Sequence, residues 1–213
     1  MILNVYKPTG WTSFDVVKKI KNILNEKVGH GGTLDPFAEG VLIIGTGSDT
    51  KRLGEISIKE KSYIATLVLG KTTDTLDTEG KITNVREVPK LSENKIKKVL
   101  ESFIGETYQI PPMYSAKKIN GVRLYKLARK NISIDRKPNI VNIFSIKILS
   151  YNKNKLKFFV SCSKGTYIRV LGNDIAEKLG TVGYLNKLIR TNVGRYDIEN
   201  ALKIEDIIDR CKS

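Results

Sequence analysis

The 213-residue chain is short of several residue types, and each shortage closes off a chemistry. It has two cysteines, Cys162 and Cys211, far apart and without a CxxC spacing. That excludes a disulfide scaffold and makes a reducing cytoplasm the default expectation. It has one histidine, His30, so no Cys/His zinc site of ordinary spacing can be assembled. A Ser-His-Asp triad would have to use that same histidine, and no G-x-S-x-G elbow accompanies it. Long apolar runs are missing: no stretch approaches a membrane span, and the chain does not open with a basic segment followed by an apolar one. Acidic residues are also short, with 22 Asp+Glu against 37 Lys+Arg and a net charge of +15. Such an excess suits a polyanion, nucleic acid first and a membrane surface second, although plainly solvated lysines would give the same number.

The chain does have a conventional globular composition, 40% hydrophobic and 28% charged, with enough length to bury a core. Ile2 to Tyr6 reads as a strand, followed by a turn at Lys7-Pro8-Thr9-Gly10. Thr12 and Asp15 form an acid variant of the capping box, and Phe14, Val17, Ile20 and Leu24 then recur at helical spacing. Val41 to Thr46 reads as a buried strand and Tyr63 to Leu69 as an alternating one. Lys71 to Gly80 is a polar loop. Ser92 starts a helix with Ile96, Val99, Leu100 and Phe103 on its apolar face. Asn120-Gly121 is a strong hairpin signal. Around it lie Lys117, Lys118, Arg123, Lys126, Arg129 and Lys130, with Tyr114 and Tyr125 interleaved, a composition fit for RNA contact or for an exposed basic hairpin. Val141–Leu149 and Leu156–Cys162 read as paired strands, Ser163 to Arg169 as a turn into a helix ending near Leu179, and Ile204 to Ile208 as a short amphipathic helix. Hairpins interspersed with helices predict an α+β fold with a mainly antiparallel sheet.

The segment Gly29-His30-Gly31-Gly32-Thr33-Leu34-Asp35-Pro36-Phe37-Ala38-Glu39-Gly40-Val41 concentrates chemical potential. Glycines allow close approach of a ligand, and Pro36 restrains the backbone of Asp35. A surface connection with an Asx-type turn would use the same residues. The glycines fit neither GxxxxGK[ST] nor GxGxxG, which excludes a P-loop and a dinucleotide fingerprint. Asp74, Asp77 and Glu79 are either Mg²⁺ ligands or a solvated turn. The lone carboxylate of Asp35 can act as nucleophile or base if a cation keeps it ionised, and Arg169 is a candidate for that cation.

Gly29-His30-Gly31-Gly32-Thr33-Leu34-Asp35-Pro36 resembles the catalytic segment of the bacterial tRNA pseudouridine-55 synthases, the TruB family. Asn4-Val5-Tyr6-Lys7-Pro8-Thr9-Gly10-Trp11-Thr12-Ser13, Lys61-Ser62-Tyr63, Thr73-Asp74-Thr75-Leu76-Asp77, Pro111-Pro112-Met113-Tyr114-Ser115-Ala116 and Cys162-Ser163-Lys164-Gly165-Thr166-Tyr167-Ile168-Arg169 are similar to further blocks of that family, in the same order. The resemblance implies a pseudouridine-synthase fold, a mixed and mainly antiparallel sheet flanked by helices with a central catalytic cleft. It also implies isomerisation of a flipped uridine in the T-loop of tRNA, without cofactor or metal. Carried over by position, Asp35 is the nucleophile and Arg169 pairs with it. Tyr63 stacks on the uracil and assists proton transfer, and His30 stacks within the T-loop. Asp77 joins the polar network of Arg169, and Leu188 packs against the base. The basic hairpin, about 115–140 and including Lys117, Lys118 and Arg123, falls where the family has an RNA-clamping insertion. A single catalytic domain over 1–213 is expected, without the C-terminal PUA-type domain of most relatives, acting as a monomer. A non-catalytic tRNA-binding or tRNA-folding module on the same scaffold is the rival reading.

Overall fold

The computed structural model describes residues 1–207. Along the chain run β1 (Ile2–Lys7), α1 (Ser13–Leu24), β2 (Val28–His30), β3 (Glu39–Thr46), a 3-10 turn (Gly47–Arg52), α2 (Leu53–Ser57), β4 (Lys61–Leu69), β5 (Lys71–Thr73) and β6 (Ile82–Val85). There follow α3 (Glu93–Glu101), β7 (Gly105–Gln109), β8 (Lys118–Ile119), β9 (Val122–Arg123), α4 (Leu124–Ala128), β10 (Asn139–Asn152), β11 (Lys155–Cys162), α5 (Ile168–Lys178), β12 (Gly183–Val193) and β13 (Tyr196–Asp197). Residues 204–207 are helical; Ile208, assigned to that helix from the sequence, and Cys211 lie outside the described residues. No described helix is long and apolar enough to cross a membrane.

These elements form two compact units, and the first takes Met1–Ile64 together with the chain from Leu188 on. In it, β1 pairs antiparallel with β3 from Ile2 opposite Gly45 to Lys7 opposite Gly40, and β2 pairs with the far end of β3. The end of β12 lies parallel to β3, with Ile189 opposite Glu39 and Arg190 opposite Gly40. Val41–Ile44 are all fully buried because β3 is covered on both faces. One side packs against Val5, Val16, Val17, Ile20, Ile204 and Ile207, the other against Leu53, Ile56 and Val193.

Helix α1 begins where the sequence says it should. Thr12 accepts from the Asp15 N–H, and the Asp15 carboxylate returns the bond to the Thr12 N–H at 2.8 Å. Its apolar face, however, starts one residue earlier than the sequence spacing indicated. Ser13, Val16, Val17 and Ile20 are buried, whereas Phe14 is 68% exposed. Ser13 takes the inward position because its hydroxyl has backbone partners there, and this turns Phe14 outward.

The second unit, Ala65–Lys187, carries the order β12-β4-β11-β10-β7, with α3 and α5 packed in the same unit. β4 alternates buried and half-buried residues along its whole length, as its sequence pattern required. β10 pairs antiparallel with both β11 and β7, so the α+β expectation holds. Three details differ from the sequence reading. Lys71–Thr73 is a strand paired with Ile82–Val85 rather than loop. The Asn120-Gly121 hairpin has only two residues per strand, and the one-turn helix α4 follows at once. β12, whose end lies parallel to β3, escaped the sequence reading altogether.

Candidate active site

In the first unit, Asp35 sits half-buried between β2 and β3, in a turn closed by the Ala38 N–H donating to the Asp35 carbonyl at 3.1 Å. Pro36 occupies the second position of that turn, where its fixed φ is suited. The backbone on either side of Asp35 is tied down. Ser13 Oγ donates to the Leu34 carbonyl at 3.0 Å and accepts from the Leu34 N–H at 2.9 Å. The Pro36 carbonyl accepts from the Gly10 N–H at 2.8 Å and from Lys7 Nζ at 3.4 Å. Lys7 is fully buried and also bonds the carbonyls of Pro8 and Trp11. Arg190, 2% exposed, donates to the carbonyls of Gly32, Thr33 and Val41. Sequence reasoning did not single out Lys7, Ser13 or Arg190 as functional. For Lys7 and Ser13 the signal was present, since both lie in the Asn4–Ser13 segment; Arg190 lies outside every such segment.

His30 ends β2 opposite Ile44, and its Nδ1 accepts the Gly32 N–H at 3.4 Å. Tyr63 on β4 and Leu188 on β12 are both buried in this unit. Tyr6 lies close to Glu39, and burial, with the bond and charge of that carboxylate, pushes its phenol up to about 12.

The second unit holds Arg169 and Asp77, which the sequence reading linked. Arg169 stands in the first turn of α5, 3% exposed, and its guanidinium meets Asp77 Oδ2 at 3.3 Å. It also donates to the carbonyls of Thr75 and Tyr114, each at 2.7 Å. Asp77 is fixed in turn: Oδ1 accepts from Thr75 Oγ1 at 2.6 Å and from the Glu79 N–H at 2.9 Å. Leu76 adopts φ +62 to deliver it, and Thr73 Oγ1 bonds the Asp77 backbone in both directions. Asp74 instead receives the Lys81 N–H, and among the described residues no group of three His, Cys, Asp or Glu gathers that could hold a metal.

Lys118 and Arg123 face each other across the β8–β9 hairpin, both exposed. Lys117 is half-buried and engaged with Asn139 Oδ1 at 2.8 Å, so it braces the hairpin's base. Arg129 lies over the Tyr125 ring at 5.4 Å. The hairpin thus presents exposed cations next to a cation-covered aromatic.

A family model described as TruB family pseudouridylate synthase (N terminal domain) matches residues 18–168. The chain belongs to the TruB family. The matched stretch contains His30, Asp35, Tyr63, Asp77 and the basic hairpin, and ends one residue before Arg169. Over 207 residues the chain is 49% identical to the TruB-family protein named tRNA pseudouridine synthase B of Clostridium tetani (strain Massachusetts / E88), covering 97% of this chain and 72% of that one. It is similar to the solved Cbf5-Nop10-Gar1 complex at 30% identity and a TM-score of 0.77, covering 98% of this chain and 53% of that one. It is also similar to an H/ACA RNP bound to a substrate RNA containing 2'-deoxyuridine, at 28% identity and a TM-score of 0.73, covering 98% and 52%. The chain spans about half the length of these two solved chains.

Proposed function

We propose that the protein is a tRNA pseudouridine synthase that isomerises uridine 55 in the T-loop of tRNA, working as a monomer in the cytoplasm. The observation that carries this reading is the Asp35 turn, braced on both sides in a chain of the TruB family. A carboxylate used as a nucleophile must be ionised and held at one angle. Bracing of the neighbouring backbone serves the second need, and the positive charge of Arg169 serves the first.

In the reaction the N1–C1′ bond of the uridine breaks, the sugar rejoins the same base at C5, the C5 proton leaves, and N1 takes up a proton in its place. Nothing is oxidised, and the only atom released from the base is that proton. The uridine must first leave its stack, which takes a few kcal/mol. Tyr63 stacks on the uracil and assists proton transfer, Leu188 packs against it, and His30 stacks within the T-loop and helps stabilise the flipped arrangement. Asp77 holds Arg169. Residues 1–213 act as one catalytic domain, with about 115–140 clamping the RNA through Lys117, Lys118 and Arg123.

The test is pseudouridine formation on an unmodified tRNA transcript, mapped by position, with Asp35→Asn in parallel. Conversion at uridine 55 by the unaltered protein, and none by Asp35→Asn at undiminished tRNA affinity, is the expected result. Salt-sensitive tRNA binding without conversion would instead identify a tRNA-binding or tRNA-folding module.

A further inference from the structure

We propose that Arg190 is a positioning residue for the Asp35 turn, with Ser13 as a second anchor; the inference rests on Asp35 being the nucleophile. Arg190 stands on β12 opposite Gly40 in the parallel pair. Gly40 has φ +106, and a Cβ there would run into the Arg190 carbonyl, so the two backbones are in direct contact. From that fixed base the side chain reaches both ends of the turn. Nε donates to the Val41 carbonyl at 2.7 Å, on the strand leaving the turn. The two terminal nitrogens donate to Thr33 at 3.2 Å and to Gly32 at 3.1 Å, on the segment entering it. One planar, rigid fork therefore sets the separation between residues 32–33 and residue 41, with Asp35 inside the bracket.

Arg190 is nearly inaccessible, and among the described residues no carboxylate pairs with it. A buried cation without a counter-charge is expensive, and here three carbonyl bonds offset that cost. What an apolar residue cannot do is bond three carbonyls converging from two sides of a turn. Ser13 supplies the complementary hold, bonding both the N–H and the carbonyl of Leu34, the residue before Asp35. Leu188, two residues before Arg190, is buried with it on the same strand, so β12 carries both the turn's brace and the leucine placed against the base.

The experiment compares Arg190→Lys, which keeps the charge and loses the fork, with Arg190→Met, which loses both. Pseudouridine formation is followed under single-turnover conditions with enzyme in excess. tRNA affinity and thermal midpoint are measured on the same samples, and rates are normalised to the folded fraction. Arg190 is too buried to touch RNA, so affinity should stay at the wild-type level while the single-turnover rate falls about 10²-fold, the scale for a misplacement of roughly 1 Å. Arg190→Met strips three carbonyls of their donor and should lower the thermal midpoint; a merely structural arginine would show that loss with an unchanged rate per folded molecule. Folded Arg190 variants that react at the wild-type rate would overturn the proposal. If neither folds, Ser13→Ala decides. A slowed reaction at unchanged affinity supports the bracing of the turn, and an unchanged rate refutes it. An inactive wild type or an active Asp35→Asn would sink the nucleophile reading itself. Active wild type, inactive Asp35→Asn and unimpaired Arg190 variants would sink the positioning role alone.

Discussion

Two buried arginines are handled in opposite ways. Arg169 has a carboxylate at 3.3 Å, and Arg190 is satisfied by backbone carbonyls. Removing one member of a buried ion pair is far costlier than never having the pair, because the remaining charge stays out of water. Asp77→Asn is therefore expected to lower unfolding free energy by about 3 kcal/mol, read from urea denaturation. The residues proposed for the site from the sequence are those whose side chains carry chemistry within short local blocks, such as Asp35 before Pro36 and Arg169 after Gly165. Arg190 was not legible. In β12, Leu185 and Leu188 are both buried with two exposed residues between them, so the alternation slips, and an arginine follows where an apolar residue would be read. Its role exists only once β3 is alongside.

At the scale of elements, α5 contains a carboxyl held out of its ordinary range. Asp174 is half-buried, and desolvation first, then the charge of Glu177, push it up to about 6. A carboxyl that binds its proton more tightly when folded stabilises the fold at low pH, and that contribution fades as pH rises through about 6. At neutral pH the ionised side chain is a burden. Asp174→Asn should accordingly raise stability by about 1 kcal/mol at pH 8, after discounting for solvent around the group, and flatten the stability profile between about pH 4 and 6. Thermal or urea unfolding across that range measures both. Elements governed by local chemistry were legible: the Thr12–Asp15 cap, the alternation of β4, and Asn120-Gly121 with φ +49 and +79. The orientation of Phe14 was not, because Ser13 is drawn inward by Leu34, a partner distant in sequence.

For the whole molecule, the net charge of +15 makes salt the decisive variable in RNA binding. The logarithm of tRNA affinity should fall linearly with the logarithm of salt concentration, by about 0.7–0.9 per phosphate contact. Replacing exposed Lys118 and Arg123 with alanine should weaken binding and lower that slope by about 1 per lost contact, measured by filter binding at several salt concentrations. A slope indistinguishable from zero in the unaltered protein would remove the role assigned to its charge.

The first unit joins segments far apart in the chain: Asn4 bonds Asp197, Leu202 bonds Asn4 and Tyr6, and Arg190 reaches Thr33 across 157 positions. On a ribosome these partners emerge at very different times. At ordinary rates of synthesis the Asp35 turn waits on the order of ten seconds for β12 to follow it out. Through that interval the nascent chain carries its acidic residue in an unbraced loop, and the brace arrives only once β12 has been made. Synthesis of β12 thus doubles as the step that fixes the turn.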